Sequence, residues 1–268
     1  MDNPINFIAS IYTKRYPLPD GLKLRISVVE DLFKEVNKYM DETSRTQVIT
    51  NDVAGNSNGF TCMPNTVEDE TNIFISKKLI EQYIENHFQF ACTIFHELTH
   101  AIDFYNYCKD FCSGNYDDIL DNNNYFGFKM WLEFNAKIIS YRMYFELING
   151  KNYDKEKELE HILNFELDFQ NKCLENNLLE ITSPNLIIYY IVLYLGRYYC
   201  WEEMFPEVFK DGKLVSTVLK KKTDNMVIEL YKYLKNHLIY SKEFNSYNLI
   251  FDKLEELMNS YSYIDIFS

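Results

Sequence analysis

The sequence predicts an α+β protein that is predominantly helical, with one small β-sheet in its N-terminal half. Strand-like runs are confined to residues 46–75, whereas apolar residues recur at helical spacing through most of the remaining chain. The 268 residues include only eight Gly and six Pro, beside 22 Tyr and 20 Phe. This composition allows a sizeable core and argues against a disordered chain.

The first 25 residues are predicted to be irregular, because Pro4, Pro17 and Pro19 interrupt them. Residues 27–30 read S-V-V-E, the pattern of a helix capping box, so we expect a helix to begin there. We expect this helix to pack through apolar residues at helical spacing: Val29, Leu32, Phe33, Val36 and Met40.

Three strand-like runs follow, at 46–50, 59–63 and 72–75, and a turn rich in Asn, Asp and Gly separates the first two. Three strands can form a small sheet on which a helix packs. An exposed edge strand could pair with an extended peptide, although a purely structural sheet explains the pattern equally well.

The helix predicted over residues 90–105 contains His96, Glu97 and His100 in the order H-E-x-x-H. On an α-helix the two histidines share one face, a single turn apart, so both imidazoles can bind one zinc ion at about 2.0–2.1 Å. Glu97 lies about 100° around the helix, where it can hydrogen-bond a metal-activated water as the general base. The opposite face is apolar, which favours this interpretation over a solvated helix with a chance motif.

A third zinc ligand is predicted on a second helix, which spans residues 125–148. Glu133 has apolar neighbours, and a buried acid in mid-helix is costly unless it is paired or bound to a metal. The small residues Ala136 and Ser140 share its face and would allow close approach of another helix. Asp103 and Glu146 remain competing candidates for the third ligand.

The rest of the chain is predicted to be a polar loop followed by helices. The loop covers residues 106–124, with several aspartates. The expected helices start at a capping Asp154, at Ser183-Pro184, at Asp224 and at Ser241, and they end near residues 176, 199, 240 and 260. We therefore expect a metal-binding subdomain over 1–150 and a helical subdomain over 151–268.

Net charge, apolar runs and cysteine content indicate which partners and which cellular location to expect. The net charge of −13 argues against nucleic acid and anionic membranes, which need clustered Lys and Arg. The N-terminus lacks a secretory pattern, and the longest apolar run, 186–195, is too short to span a bilayer. Six scattered cysteines indicate reduced thiols and a cytoplasmic protein, although Cys108-x3-Cys112 leaves a weaker metal-binding alternative.

The H-E-L-T-H-A string with Glu133 downstream resembles the gluzincin zinc metallopeptidases. Lys137 stands where thermolysin-like enzymes carry an aspartate, four residues after the glutamate ligand. The order of a strand, a short helix, the HExxH helix and then Glu133-x-x-Ala136 is more similar to the ImmA/IrrE-type intracellular peptidases. The resemblance covers about residues 46–146 and implies a zincin-like core, with His96, His100 and Glu133 as ligands and Glu97 as base.

These observations together predict a zinc metallopeptidase that binds one zinc ion and acts on a peptide or protein substrate. The alternative is a regulatory or interaction protein that keeps the zinc-site scaffold without proteolysis. An intact Glu97 favours the enzyme, because a purely structural site needs no general base. No role is predicted for the helical C-terminal half.

Overall fold

A computed structural model describes residues 4–42, 57–82, 87–119, 121–149, 154–180, 184–210, 226–236, 252–254 and 256. Its contacts divide the chain into two compact units, Met1–Asn123 and Asn124–Ser268. The described residues are predominantly helical and include one three-stranded mixed sheet, which confirms the mostly helical α+β class. The subdomain boundary expected at residue 150 stays a prediction.

The first unit contains a mixed sheet and four described α-helices. In chain order, its elements are α1 (Pro4–Arg15), β1 (Lys23–Val29), α2 (Leu32–Glu42), β2 (Gly59–Cys62), β3 (Glu70–Ser76), α3 (Lys77–Glu81), α4 (His87–Phe111) and a 3-10 turn (Tyr116–Ile119). The strand order is β1-β3-β2, with β1 parallel and β2 antiparallel to β3. The strand expected at 46–50 lies outside the described residues.

The expectation of an irregular N-terminus is wrong, because residues 4–15 form α1. Pro4 is the first helical residue, a position at which the missing N–H of proline breaks no hydrogen bond. Ile5, Ile8 and Tyr12 are buried at helical spacing, and α1 packs on α4. Pro4 therefore marks a helix start and not an irregular segment.

The capping box predicted at Ser27 is also wrong, since residues 23–29 form β1. β1 pairs along its whole length with β3, so that Ile26 faces Ile73 in the register. The following helix begins at Leu32, and the Asp31 carboxylate accepts a hydrogen bond of 3.0 Å from the backbone N–H of Lys34. Leu32, Val36 and Met40 are buried as predicted.

The helix that carries the HExxH motif, α4, is longer than the sequence indicated. It continues to Phe111, so the loop predicted from residue 106 is wrong for its first turn and a half. Tyr107 and Cys108 are fully buried, and this apolar surface stabilises the extra turns. The helix ends before Gly114, whose φ of +82° suits glycine and whose N–H donates to the carbonyl of Cys108 at 3.0 Å.

The second unit is helical in its described part. In chain order, its elements are α5 (Tyr125–Asn149), α6 (Lys155–His161), a π-helical turn (Ile162–Glu166), α7 (Leu167–Glu180), α8 (Pro184–Met204), α9 (Pro206–Phe209) and α10 (Met226–Asn236). The helix predicted over 125–148 is confirmed to within one residue, and Asp154 caps α6 by accepting from the N–H of Lys157. Most of the last predicted helix, 241–260, lies outside the described residues.

Helix α5 packs mainly on α8 within this unit. A Cβ added to Gly196 of α8 would lie 2.8 Å from the Cβ of Lys137 and 3.2 Å from the carbonyl oxygen of Phe134. Glycine at this crossing therefore brings the two helix backbones close together. The crossing lies at Phe134, the residue that follows Glu133 on α5.

Candidate metal centre

His96 and His100 occupy one face of α4, as the HExxH spacing predicts. Their ring centroids are 4.2 Å apart, and the ring planes are inclined at 74°. His100 is 7% exposed, and His96 is half-buried. The apolar residues Ile94, Leu98 and Ala101 are fully buried, so the helix turns an apolar surface into the core.

Glu133 is the acid that the structure brings together with these histidines. One potential ligand atom from each of His96, His100 and Glu133 lies within 4.8 Å of the other two. Glu133 is buried, with 7% of its surface exposed, next to the buried residues Leu132 and Phe134. These three side chains form a group that could hold a metal ion.

Asp103 and Glu146, the two competing acids, are not part of this group, which is drawn from the residues that the structure describes. Asp103 is buried one turn beyond His100, and its charge adds to the rise in the pKa of Tyr12 that burial causes. Asp103 therefore lies close to Tyr12. Glu146 is exposed near the end of α5. Cys108 and Cys112 likewise contribute to no metal-ligand group within the described residues.

Glu97, the predicted base, is 7% exposed and contacts strand β2. The hydroxyl oxygen of Thr61 is 2.7 Å from Oε2 of Glu97 and 3.0 Å from its backbone carbonyl oxygen. The sequence predicted the strand that contains Thr61 but not this contact. Strand pairing and helix packing create it, and no local pattern around Thr61 marks it.

Gly59 determines how closely β2 approaches α4. A Cβ at this position would lie 2.9 Å from Cγ2 of Thr93 and 3.0 Å from Cγ of Glu97. Real Cβ contacts are longer, so a larger residue would push the strand away from the helix. Both β2 and β3 contact α4, which confirms that the small sheet packs on the HExxH helix.

From the sequence, Tyr141 or Tyr144, two or three turns beyond Glu133 on the same helix, could donate a hydrogen bond to an oxyanion, as could several other tyrosines. Tyr141 is 1% exposed, and the guanidinium carbon of Arg197 lies 4.8 Å from the centroid of its ring. Tyr144 is half-buried beside Phe145.

Comparison with known proteins found no matching family model, curated protein or solved structure. Function is therefore inferred from the side chains of this chain alone. All six cysteines are free thiols, as the sequence predicts. Within the described ranges, no helix combines the length and apolar character that a membrane crossing requires.

Proposed function

We propose that this protein is a zinc-dependent peptidase in which His96, His100 and Glu133 hold one zinc ion and Glu97 is the general base. The observation that carries the proposal is the convergence of one ligand atom from each of the three residues to within 4.8 Å. Two imidazoles and one carboxylate are the ligand set of a catalytic zinc site that keeps its fourth position for water or substrate.

The chemistry of the donors fits zinc better than the common hard cations. Imidazole nitrogens are good ligands for zinc, whereas Ca²⁺ and Mg²⁺ prefer sites built from oxygen. A zinc ion bound there supplies Lewis acidity, which acidifies a water and polarises the carbonyl of the scissile bond.

Glu97 would move the proton in this reaction. Its carboxylate is next to the first histidine in sequence, and its burial limits competition from bulk water. It accepts a proton as water attacks the peptide carbonyl, and it then delivers that proton to the nitrogen of the leaving amine. Glu97 thereby returns to its ionised form, and the enzyme gains or loses no net proton.

Strand β2 would be a docking edge for an extended peptide substrate. In the described sheet it is an outer strand that pairs only with β3, and it lies against α4 near Glu97. A peptide that added to this edge would gain main-chain hydrogen bonds close to the base. We expect the substrate to be an extended peptide or an unfolded protein segment.

The proposal includes a zincin-like core and kinship with gluzincins of the ImmA/IrrE type. The support is the placement of an HExxH helix on a small sheet, together with a glutamate on the next long helix. We also propose a cytoplasmic location, which six free thiols favour, and no nucleic acid or membrane partner, in line with the net charge of −13.

The decisive experiment compares the wild type with Glu97→Gln. Both proteins should contain close to one zinc per chain by elemental analysis, and only the wild type should generate new N-termini in a proteome-wide cleavage assay. Zinc binding without any cleavage difference would reject the peptidase and favour the regulatory alternative. Absence of metal from the wild type, even after zinc is supplied, would reject the metal centre itself.

A further inference from the structure

We propose that Thr61 is a positioning residue that holds the Glu97 carboxylate in the orientation required for proton transfer. The inference rests on the proposed function and assigns a role to a residue outside the HExxH motif. Its basis is the contact of the Thr61 hydroxyl with two oxygens of Glu97, at 2.7 Å to Oε2 and 3.0 Å to the backbone carbonyl.

The carboxylate is the preferred acceptor of the single hydroxyl proton. It carries the negative charge, and it is the nearer of the two oxygens. The backbone carbonyl of Glu97 lies inside α4, where the N–H four residues later is its regular helical donor. Thr61 therefore donates mainly to Oε2.

Strand β2 holds the Thr61 hydroxyl in place. Thr61 pairs with Ile73 of the neighbouring strand, so its backbone is fixed by the sheet. Gly59 lies two residues earlier and thus on the same face of the strand, where its missing side chain permits the close approach to α4. The donor belongs to a rigid element rather than to a mobile loop, as precise orientation of a catalytic group requires.

This hydrogen bond restricts the orientation of a long side chain. A glutamate has three rotatable side-chain bonds, and its terminal torsion is broad when nothing fixes the carboxylate. With Oε2 tied to β2, the carboxylate is held in one orientation while the proton is accepted and released. Thr61 does not contact the reacting atoms and acts only through Glu97.

The test compares Thr61→Val, which keeps the shape but removes the hydroxyl, with Thr61→Ser, which restores the hydroxyl. Turnover is followed with a library of quenched fluorescent peptides. For Thr61→Val we expect kcat to fall by about tenfold or more, in line with the loss of a hydrogen bond to a charged group. We expect KM and the zinc Kd to stay within about twofold, because a peptide docked on β2 would bond only the main chain of the strand and the Thr61 side chain is not a metal ligand in this proposal.

Restoring the hydroxyl distinguishes a role of Thr61 in positioning Glu97 from a general structural defect. Thr61→Ser should recover kcat to within about threefold of the wild type. Thr66→Val is the matched control, since it removes a threonine hydroxyl that bonds the exposed carboxylate of Asp69 instead. If Thr61→Val does not fold, Thr61→Ala is used in its place. An unchanged kcat in a variant without the hydroxyl, or a Ser variant no better than Val, would overturn the proposal.

A readout independent of activity distinguishes this proposal from the proposed function. Crystal structures of the metal-free wild type and Thr61→Val should show different side-chain torsion angles for Glu97. If the wild type cleaves no peptide, the peptidase proposal is rejected. The Glu97 torsion angles then show separately whether Thr61 positions the carboxylate. Identical Glu97 conformations in the two proteins would overturn it.

Discussion

The hydroxyl groups of Tyr12 and Thr99 lie 2.9 Å apart in the core, and their hydrogen bond joins α1 to the helix that carries both histidines. Thr99 donates its own proton to the carbonyl of Phe95 at 2.8 Å, so Tyr12 is the donor in this pair. Burial raises the pKa of Tyr12 above its usual value and keeps the phenol protonated. The N-terminal helix thereby supports α4 directly beside His100.

Replacing Tyr12 by Phe should lower the free energy of unfolding by about 1–2 kcal/mol, because Thr99 loses a buried partner. A double-mutant cycle with Thr99→Val, measured by urea unfolding, should give a coupling energy of about 0.5–1.5 kcal/mol. A coupling energy of zero would show that the two hydroxyls do not interact in solution.

The stability of the wild type should also fall at high pH relative to Tyr12→Phe. The pKa of Tyr12 is raised in the folded state, so the stabilisation is complete below the usual value of 10.0 and decreases as the pH rises above it. Urea midpoints of the two proteins should converge above this pH. A constant difference between the urea midpoints of the wild type and Tyr12→Phe through the alkaline range would contradict the prediction.

Gly59→Ala should destabilise the first unit by about 1–3 kcal/mol, because the added Cβ overlaps the side chains of Thr93 and Glu97. Thermal unfolding measures the effect. Asn58→Ala is the matched control, since it changes the preceding side chain and leaves the backbone bond from Ser76 to the Asn58 carbonyl intact. Equal stability of the two variants would show that β2 does not approach α4 this closely.

Removal of Glu133 should weaken zinc binding, whereas removal of Asp103 should not. We expect Glu133→Ala to raise the zinc Kd by tenfold or more through the loss of a direct ligand, and Asp103→Asn to leave it within about threefold. A competition assay with a chromophoric chelator measures both constants. The reverse pattern would assign the third ligand to Asp103.

Cys112 should ionise near neutral pH in the folded protein. A hydrogen bond from Cys108 lowers the pKa of Cys112 to about 7 from the usual 9.0, and a weaker one from Asn122 adds to the effect. Ultraviolet titration of the thiolate should therefore show one early ionisation, which moves to higher pH in Cys108→Ala. Cys173→Ala, a half-buried thiol on α7, is the control that should leave this ionisation unchanged.

The ionisation of Cys112 also predicts the sign of a stability change. Between pH 7 and 9.0 the unfolded chain binds the proton that the folded thiolate has lost, so stability rises with pH in this window. Below pH 7 this contribution disappears. Cys112→Ala should abolish this rise in stability with pH. A wild type whose free energy of unfolding does not change between pH 7 and 9.0 would refute the prediction.

Most helices were predictable because their signals are local. Apolar spacing indicated α5 nearly to its ends, and Asp154 marked the start of α6 correctly. The two errors at the N-terminus have one cause. Pro4 and the S-V-V-E run each permit two local structures, and contacts far along the chain, with α4 and β3, decided between them.

Part of the candidate site was likewise predictable from local sequence, and part of it was not. By itself the sequence determined that His96 and His100 share one helix face beside Glu97, because helical periodicity alone sets that geometry. Only the tertiary structure decided which acid joins the histidines and which hydroxyl contacts Glu97. The physical reason is that a ligand from another helix and a donor from a strand depend on packing between distant segments, which no local pattern encodes.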